Sequence, residues 1–440
     1  MKKINTLRAT VLAAVLATGS TAWATNGMLM EGYGPESLAQ GGASTAYYNG
    51  TAGMMNNPAT LQLGVVGSRL DVAMGILGPN VKSSMQGMPV ASSSGTSYVM
   101  PALGWVRKSD QMTWGVGIFG QGGMGTEYGA DSFLAMGSGS GVRSELGAGR
   151  VIFPLSFKVN EQLSVGGSLD YTWSGLDMKM AASGQQLGGM VTGMPSGNLG
   201  SALPQLAAAS WARIDFSNNS DFSGAATSTG WTGKLGAVYQ ASPNLSLGIT
   251  HHLKTNVGDM KTNSTGASMS AAGGFMDQGQ IIVRDFQMPS STALGLAFKA
   301  NSALTLVADI KRIGWRDVMK SFNMTYISAG MGGQVDFSMP QNWKDQTVVS
   351  LGGSYKTSEV LVLRAGFNQS SNPIPDNYVN PLFPAIVKKH FTAGMSYRIS
   401  DKLGLDAAVS HAPKVSVTSG SGVSISHAQT NYQFLMNYSY

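Results

Sequence analysis

The sequence predicts an all-β protein, a 14-stranded antiparallel transmembrane β-barrel of a bacterial outer membrane. Three observations indicate this fold: the pattern of the C-terminus, a series of alternating segments, and the lengths of the connections between them. In residues 432–440 every second residue is aromatic or Met, and the chain ends on Tyr440. Alternation with a period of two puts one face of a strand in lipid and the other in the barrel lumen.

Fourteen segments of the chain alternate between apolar and polar residues, as barrel strands do. They span about 66–79, 96–108, 111–121, 147–159, 162–180, 229–241, 244–260, 280–300, 303–317, 346–357, 359–370, 389–399, 402–417 and 427–440. We therefore expect the barrel to occupy residues 65–440.

The connections between these segments alternate strictly between short and long. The six short ones are polar, and the long ones span 80–95, 122–146, 181–228, 261–279, 318–345, 371–388 and 418–426. Outer-membrane barrels have short periplasmic turns and long outer loops. The long connections are therefore expected to be extracellular.

One of the long loops, 181–228, has a partly helical pattern. Leu199, Leu203, Leu206 and Trp211 approximate the spacing of a helical stripe. The loop is therefore either a surface helix packed on neighbouring loops or an apolar receptor surface.

The N-terminus has the features of a secretory signal peptide over residues 1–24. Three basic residues precede an apolar run at 9–17, and an Ala-Trp-Ala cleavage site ends at Ala24. The apolar run is too short to span a bilayer. Removing this segment removes three of the 29 basic residues and none of the 23 acidic ones, which leaves a charge of +3. So small a charge gives no argument for nucleic acid as a partner.

The next segment, residues 25–64, does not alternate. It is rich in Gly, Ala and Asn, but it also contains more Leu, Met and Tyr than a free tail would carry. Either it is disordered or it folds inside the lumen as a plug, and we favour the plug.

The composition argues against several kinds of chemistry. The chain has no cysteine, so it offers neither a disulfide framework nor a thiolate metal site. Its five histidines lack any metal-ligand spacing, and the Gly-x-Gly-x-x-Gly pattern at 115–120 lies inside a predicted strand with no helix after it. We expect no metal, no cofactor, no catalytic residue and no enzymatic activity.

The two ends of the chain resemble the FadL/TodX family of outer-membrane transporters for long-chain fatty acids and other hydrophobic compounds. Asn57, Pro58 and Ala59 match the Asn-Pro-Ala motif of the family's N-terminal hatch. The C-terminal half resembles the family's last five strands in the order and spacing of five stretches: 340–345, 349–355, 363–367, 371–375 and 391–397. The middle loops, about 122–146 and 181–279, do not match.

The resemblance implies a hatch-plugged barrel that takes up hydrophobic small molecules passively. The ligand would enter at an extracellular groove and leave sideways, through a gap in the barrel wall, into the bilayer. The alternatives are a general diffusion porin and an outer-membrane lipid hydrolase. The implied partners are the hydrophobic substrate, outer-membrane lipid and lipopolysaccharide, and the barrel-assembly machinery, which would recognise Tyr440. We expect a monomer.

Glycines cluster at the end of the third predicted strand. They are Gly115, Gly117, Gly120, Gly122 and Gly123. Glycine inside a strand either weakens it or permits a bend or bulge. In the family that the chain resembles, an inward kink in the third strand opens the lateral gap, so these residues are candidates for that kink.

Charged residues are sparse on the faces predicted to line the lumen. Lys311 and Arg364 are candidates for contact with a substrate carboxylate. The interpretation that we favour is packing of paired charges in the lumen, for example Lys311 with Asp309 and Arg364 with Asp406.

Overall fold

The computed structural model describes residues 26–220 and 223–440. The predicted signal peptide lies outside the described residues. The helices are α1 (Pro35–Ala39), α2 (Gly184–Met190), α3 (Gly197–Ala208) and α4 (Trp315–Val318), with 3-10 helices at Ala52–Met54, Pro58–Leu63, Phe133–Ala135 and Asp376–Tyr378. In the part of the chain that the structure describes, no helix combines the length and apolar character needed to cross a membrane.

The strands account for most of the remaining chain. They are β1 (Gly67–Ser84), β2 (Ala91–Ser92), β3 (Tyr98–Lys108), β4 (Met112–Tyr128), β5 (Val142–Lys158), β6 (Leu163–Ala182), β7 (Val191–Thr192), β8 (Ala212–Phe216), β9 (Ala226–Ser242), β10 (Leu245–His252), β11 (Asn256–Val257), β12 (Met260–Lys261), β13 (Ala267–Ala271), β14 (Phe275–Arg284), β15 (Ser291–Lys299), β16 (Leu304–Ile313), β17 (Ser321–Ser328), β18 (Gln334–Pro340), β19 (Gln346–Lys356), β20 (Leu361–Ser370), β21 (Lys389–Arg398), β22 (Leu403–Thr418) and β23 (Ser424–Ser439).

These strands form one antiparallel sheet that closes on itself, because β1 pairs with both β3 and β23. The closed barrel contains 18 strands, so the prediction of fourteen is wrong. Between β6 and β9 the closed path runs through β8, β13, β14 and β12 at the end with the long loops. Nearer the short turns, β6 pairs directly with β9.

The strand count differs because parts of the long loops pair as strands without a long alternating pattern. β8 and β13 have only five residues each, and β12 has two. The predicted single strand at 280–300 is in fact β14 and β15. Asp285 follows β14 with a φ of 46°, and Pro289, which has no N–H to donate, precedes β15.

The two faces of the wall differ as the alternation predicts. On β21, Phe391, Met395 and Tyr397 are exposed on the outer face, whereas His390 and Thr392 are buried on the inner face. The same pattern of exposed large apolar side chains recurs around the wall. The wall therefore has an apolar outer face suited to lipid.

Residues 26–64, here called the N-terminal segment, lie against the inner face of the wall. The segment contacts strands on several sides: α1 packs on β20 to β23, and the 3-10 helix at Pro58–Leu63 packs on β5, β6 and β9. Asn368 donates a hydrogen bond to the carbonyl oxygen of Gly41 at 2.9 Å. The segment therefore contacts the inner faces of strands that are far apart in sequence.

The long-loop end is covered by packed loops. Leu199 and Leu206 of α3 are buried there, and Leu203 packs against the same apolar cluster. The stripe predicted for loop 181–228 therefore packs inward against neighbouring loops.

Candidate functional site

An opening separates β3 and β4 in their upper parts, that is, toward the end of the barrel with the long loops. Within the described chain the two strands pair only from Lys108–Thr113 to Ala102–Phe119. Beyond that point β3 continues along β1, while β4 continues along β5 as far as Tyr128. Residues 98–101 and 120–124 therefore face each other without a ladder of backbone hydrogen bonds.

The opening is closed again at its upper end. Ser94 donates a backbone hydrogen bond to the carbonyl oxygen of Glu127 at 2.8 Å. The N–H of Glu127 in turn donates to the hydroxyl of Ser93 at 3.0 Å. The opening is therefore a bounded window in the wall.

A bulge in β4 produces the separation. The register between β4 and β5 shifts between Gly120 and Gly122, which leaves Gln121 as the extra residue. A bulge of this kind bends its strand and increases the local twist. Consequently β4 follows β5 and departs from β3.

Gln121 is fixed by hydrogen bonds from inside the lumen, one to its backbone and one to its side chain. Its carbonyl oxygen accepts a hydrogen bond from the hydroxyl of Tyr33, and its side-chain oxygen accepts one from Nε of Arg150 at 2.8 Å. Burial raises the pKa of Tyr33, so this hydroxyl keeps the proton that it donates. The bulge is thus fixed both by the N-terminal segment and by β5.

A glycine at the bulge permits close contact with the N-terminal segment. Gly122 forms an isolated antiparallel bridge with Leu29. A Cβ at this position would lie 2.1 Å from the carbonyl oxygen of Met28, which is too close for any other residue.

The five glycines singled out in the sequence occupy different environments. Gly120, Gly122 and Gly123 border the opening and line a cavity behind it. Gly115 and Gly117 lie lower, in the part of β4 that pairs regularly with Val106 and Gly104 of β3.

The cavity behind the opening has a volume of about 490 Å³. The N-terminal segment lines it at Met28 and Leu29, and β5 and β6 line it at Leu146 and Trp173. This volume lies in the range of small-molecule sites, which are mostly apolar with a few polar groups. The cavity can hold a small hydrophobic molecule and leads to the window in the wall.

The carboxylate of Glu31, which lines the cavity, already has a hydrogen-bond partner. Glu31 accepts a hydrogen bond from Asn431 at 3.0 Å. Burial would raise the pKa of this carboxyl, but nearby His390 together with hydrogen bonds from Ser410, the backbone and Asn431 outweighs burial and lowers it.

A buried network of charges lies beside the bulge. Asp170 on β6 accepts a hydrogen bond from Arg150 at 2.9 Å and a short one from Lys234 on β9. The side chains of Asp170 and Lys234 are fully buried. No pattern in the sequence marks this network, although all three residues occupy inward positions of predicted strands.

Asn57, Pro58 and Ala59 bind the wall at a different place. Asn57 caps the 3-10 helix, and its side chain donates to the carbonyl oxygens of Thr45 at 2.7 Å and Ile249 of β10 at 3.3 Å. A Cβ on Gly236 of β9 would lie 1.9 Å from Oδ1 of Asn57. The motif therefore docks on β9 and β10, whereas Met28, Leu29 and Tyr33 contact the bent strand.

The two candidate carboxylate-binding residues lie apart. Arg364 forms an ion pair with Glu36 of the N-terminal segment at 2.7 Å, and not with Asp406. Asp309, the expected partner of Lys311, accepts hydrogen bonds from the backbone N–H groups of Ser44 at 2.8 Å and Thr45 at 3.0 Å. Arg364 and Asp309 thus contact the N-terminal segment, and Lys311 lies near Asp309.

Tyr440 lies where the sheet closes. Its N–H donates to the carbonyl oxygen of Ser68 at 2.9 Å, and its hydroxyl accepts from Nε1 of Trp105 at 3.1 Å. Among the described residues, no group of three or more His, Cys, Asp or Glu side chains could hold a metal ion.

Comparison with known proteins assigns the chain to a family. The profile of the family described as outer membrane protein transport protein (OMPP1/FadL/TodX) matches residues 11–438. The crystal structure of the P. putida toluene transporter TodX is 32% identical with a TM-score of 0.83, covering 93% of this chain and 99% of that one.

Other solved structures share the fold. The Ralstonia pickettii toluene transporter TbuX is 30% identical with a TM-score of 0.78, again covering 93% of this chain and 99% of that one. A Pseudomonas aeruginosa FadL homologue has a TM-score of 0.72 at 15% identity, covering 94% of this chain and 99% of its own. At that identity the likeness concerns the fold alone.

The curated relatives match over short stretches only. An uncharacterized protein of Chlorobium limicola is 36% identical over 100 residues, which cover 22% of this chain and 49% of the relative. A putative outer membrane protein of Neisseria meningitidis serogroup B is 40% identical over 72 residues, which cover 16% of this chain and 15% of that relative. The chain thus matches about half the length of the first relative and less of the second.

Proposed function

The chain belongs to the outer membrane protein transport family that includes FadL and TodX, and from this premise we propose that it carries monoaromatic hydrocarbons across the outer membrane. The relatives of known structure at 30% identity or more are described as toluene transporters. Transport here would be passive, without a cofactor and without chemical change to the substrate.

The observation that carries this proposal is the cavity of about 490 Å³ behind the window between β3 and β4. A hydrocarbon enters from the long-loop side, collects in the cavity, and leaves through the window into the hydrocarbon core of the bilayer. It never has to enter water on the periplasmic side. Avoiding that step matters because returning apolar surface to water costs about 25 cal/mol per Å².

The N-terminal segment acts as a hatch in this proposal. Its contacts support that role, because Asp309 of β16 and Arg364 and Asn368 of β20 bind it from two strands. The hatch closes the axial route and so directs the substrate to the window. The protein works as a monomer after insertion by the barrel-assembly machinery.

Toluene uptake and ion conductance together test the proposal. Cells of a Gram-negative host that lacks such transporters should accumulate radiolabelled toluene faster when they make this protein. The purified protein should conduct few ions in a planar bilayer. Large stable conductance with no gain in toluene uptake would instead identify a general porin.

Deleting residues 25–64 tests the role of the hatch. The strands lie beyond this segment, so the barrel should still insert and show heat-modifiable migration. The lumen should then be open, and conductance should rise severalfold or more. Conductance that stays at the level of the intact protein in the inserted barrel would exclude the hatch role.

A further inference from the structure

Basic side chains lie on the outer face of the wall near the long-loop end. Arg312 on β16, Lys389 on β21 and Lys414 on β22 are exposed there. Arg312 follows outward-facing Ile310, and Lys389 precedes outward-facing Phe391. The cations thus continue the lipid-facing rows of their strands.

The height of these residues matches the edge of the apolar band. Arg312 lies eight residues along β16 from Leu304, and Lys389 lies nine residues from Arg398 at the other end of β21. At about 3.3 Å per residue and a tilt of about 40°, this places them roughly 20–23 Å above the short turns. The outward apolar band of such barrels is about 25 Å tall, so these residues lie just below its upper edge, from where their long side chains extend to the lipid headgroups.

Lys414 is presented by a bulge. The register between β22 and β23 shifts between Ala412 and Val415, which leaves Pro413 and Lys414 without ladder partners. Both residues are exposed. The bulge thus turns a cation out of the wall above the apolar rows.

Near this height, the wall that borders the window carries uncharged outward-facing residues instead of basic ones. The outward residues there are Val99, Ile118, Val151 and Tyr171, all uncharged. Ile118 pairs with Val151, and Val151 pairs with Tyr171, so they form a continuous row. Tyr171 packs edge-on against Trp231. This row beside the window therefore carries no charge, in contrast to Arg312 of β16 and Lys389 of β21.

We infer that Arg312, Lys389 and Lys414 bind the phosphate groups of a phosphorylated glycolipid of the outer leaflet, of the lipid A type. Charge complementarity carries this inference. Asp345 contacts Arg312 at 3.2 Å, yet the Arg312 side chain keeps 59% of its exposure. The bound lipid anchors one side of the barrel, and the row from Ile118 to Tyr171 beside the window meets lipid through uncharged side chains. A substrate leaving the window therefore enters membrane that this headgroup contact does not order.

Lipid retention by a charge variant tests the inference. The double variant Lys389→Gln with Lys414→Gln should retain lipid A about 25-fold more weakly than the unchanged protein. Each cation at an anionic membrane surface contributes about 1 kcal/mol, which is about fivefold in affinity. The matched control, Lys299→Gln with Lys402→Gln, removes two exposed lysines at the short-turn end and should retain lipid A normally.

Mass spectrometry of copurified lipid, after exchange into fresh detergent, gives the readout, and heat-modifiable migration confirms that each variant is folded. Equal retention by the test and control variants would overturn the inference. Dephosphorylated lipid A should bind both variants and the unchanged protein equally. Displacement of bound lipid A by millimolar inorganic phosphate alone would also contradict a lipid site.

Discussion

At the scale of single residues, Gln121 determines where β4 leaves β3. Tyr33 binds its backbone carbonyl and Arg150 binds its side chain, so the bulge depends on groups inside the lumen. Arg150 in turn depends on Asp170, which also binds Lys234. One buried carboxylate therefore balances two buried cations beside the window.

Replacing Asp170 with Asn should destabilise the barrel strongly. The change leaves Arg150 and Lys234 buried without an anion, and breaking a buried ion pair in this way costs about 3–5 kcal/mol. Denaturant unfolding of the protein in lipid vesicles measures the effect. Asp401→Asn, in an exposed short turn, should stay within about 0.5 kcal/mol of the unchanged protein. A loss below about 1 kcal/mol for Asp170→Asn would contradict the account.

The sequence could locate charged residues on lumenal faces but could not pair them. Arg364 and Lys311 were identified from alternation alone. The partner of Arg364 proved to be Glu36, which lies 328 positions away in a segment without a period. Arg150, Asp170 and Lys234 meet because the register of three strands aligns them, and register is not visible in a single strand.

At the scale of elements, β4 combines two different halves. The lower half pairs with β3 and β5, whereas the upper half pairs with β5 and, at Gly122, forms a bridge with Leu29 of the N-terminal segment. This division explains why Gly115 and Gly117 behave as ordinary strand residues while Gly120 borders the window.

Gly120→Val should reduce toluene uptake while leaving the barrel folded. A Cβ at Gly120 would meet Cε of Met100 at 2.6 Å, the far end of a flexible side chain across the opening. The added side chain therefore fills the window without striking backbone. At Gly122 or Gly123 a Cβ would meet backbone oxygens at 2.1 or 2.2 Å, so substitution there would disturb the fold itself.

Uptake rates at matched surface levels measure the effect of Gly120→Val, and several-fold slower uptake is expected. Gly258→Val is the control, because Gly258 lies in an exposed loop with nothing within 4 Å of a Cβ. If both variants transported toluene at the unchanged rate, the substrate would not pass beside Gly120.

The sequence predicted the long membrane-spanning strands better than the short ones. Long strands such as β20 and β21 show a clear period of two, because one face meets lipid and the other meets the lumen. β8, β12 and β13 lie in the long loops, where no lipid face imposes that pattern. These strands pair only because other loops place partners beside them.

At the scale of the whole molecule, pairing between the first strand, β1, and the last strand, β23, closes the barrel. β23 pairs with β1 from Ser439–Arg69 to Ser424–Ser84, and Tyr440 adds backbone hydrogen bonds to Ser68. The seam therefore depends on the last residues of the chain.

Deleting Ser439 and Tyr440 should sharply lower the outer-membrane yield of folded barrel. The deletion removes the final contacts of the seam and the terminal aromatic residue. Heat-modifiable migration on gels measures the folded fraction. Tyr440→Phe keeps the aromatic ring and the backbone bonds but loses the contact with Trp105, so its yield should stay near normal. An undiminished yield from the truncated chain would exclude a role for these residues in assembly.

The central claim is that the substrate leaves through the window between β3 and β4. A disulfide across the window tests it directly, because the chain contains no cysteine of its own. A Cβ on Gly120 would lie 3.6 Å from Cβ of Met100, within the range that disulfides span.

The measurement is toluene uptake by the double variant Met100→Cys with Gly120→Cys, first oxidised and then reduced in the same cells. We expect slow toluene uptake with the disulfide formed and recovery of uptake after reduction. Uptake by the single variant Met100→Cys should be the same under oxidising and reducing conditions. Equal uptake in the oxidised and reduced double variant, with the disulfide verified by mass spectrometry, would contradict exit through this window.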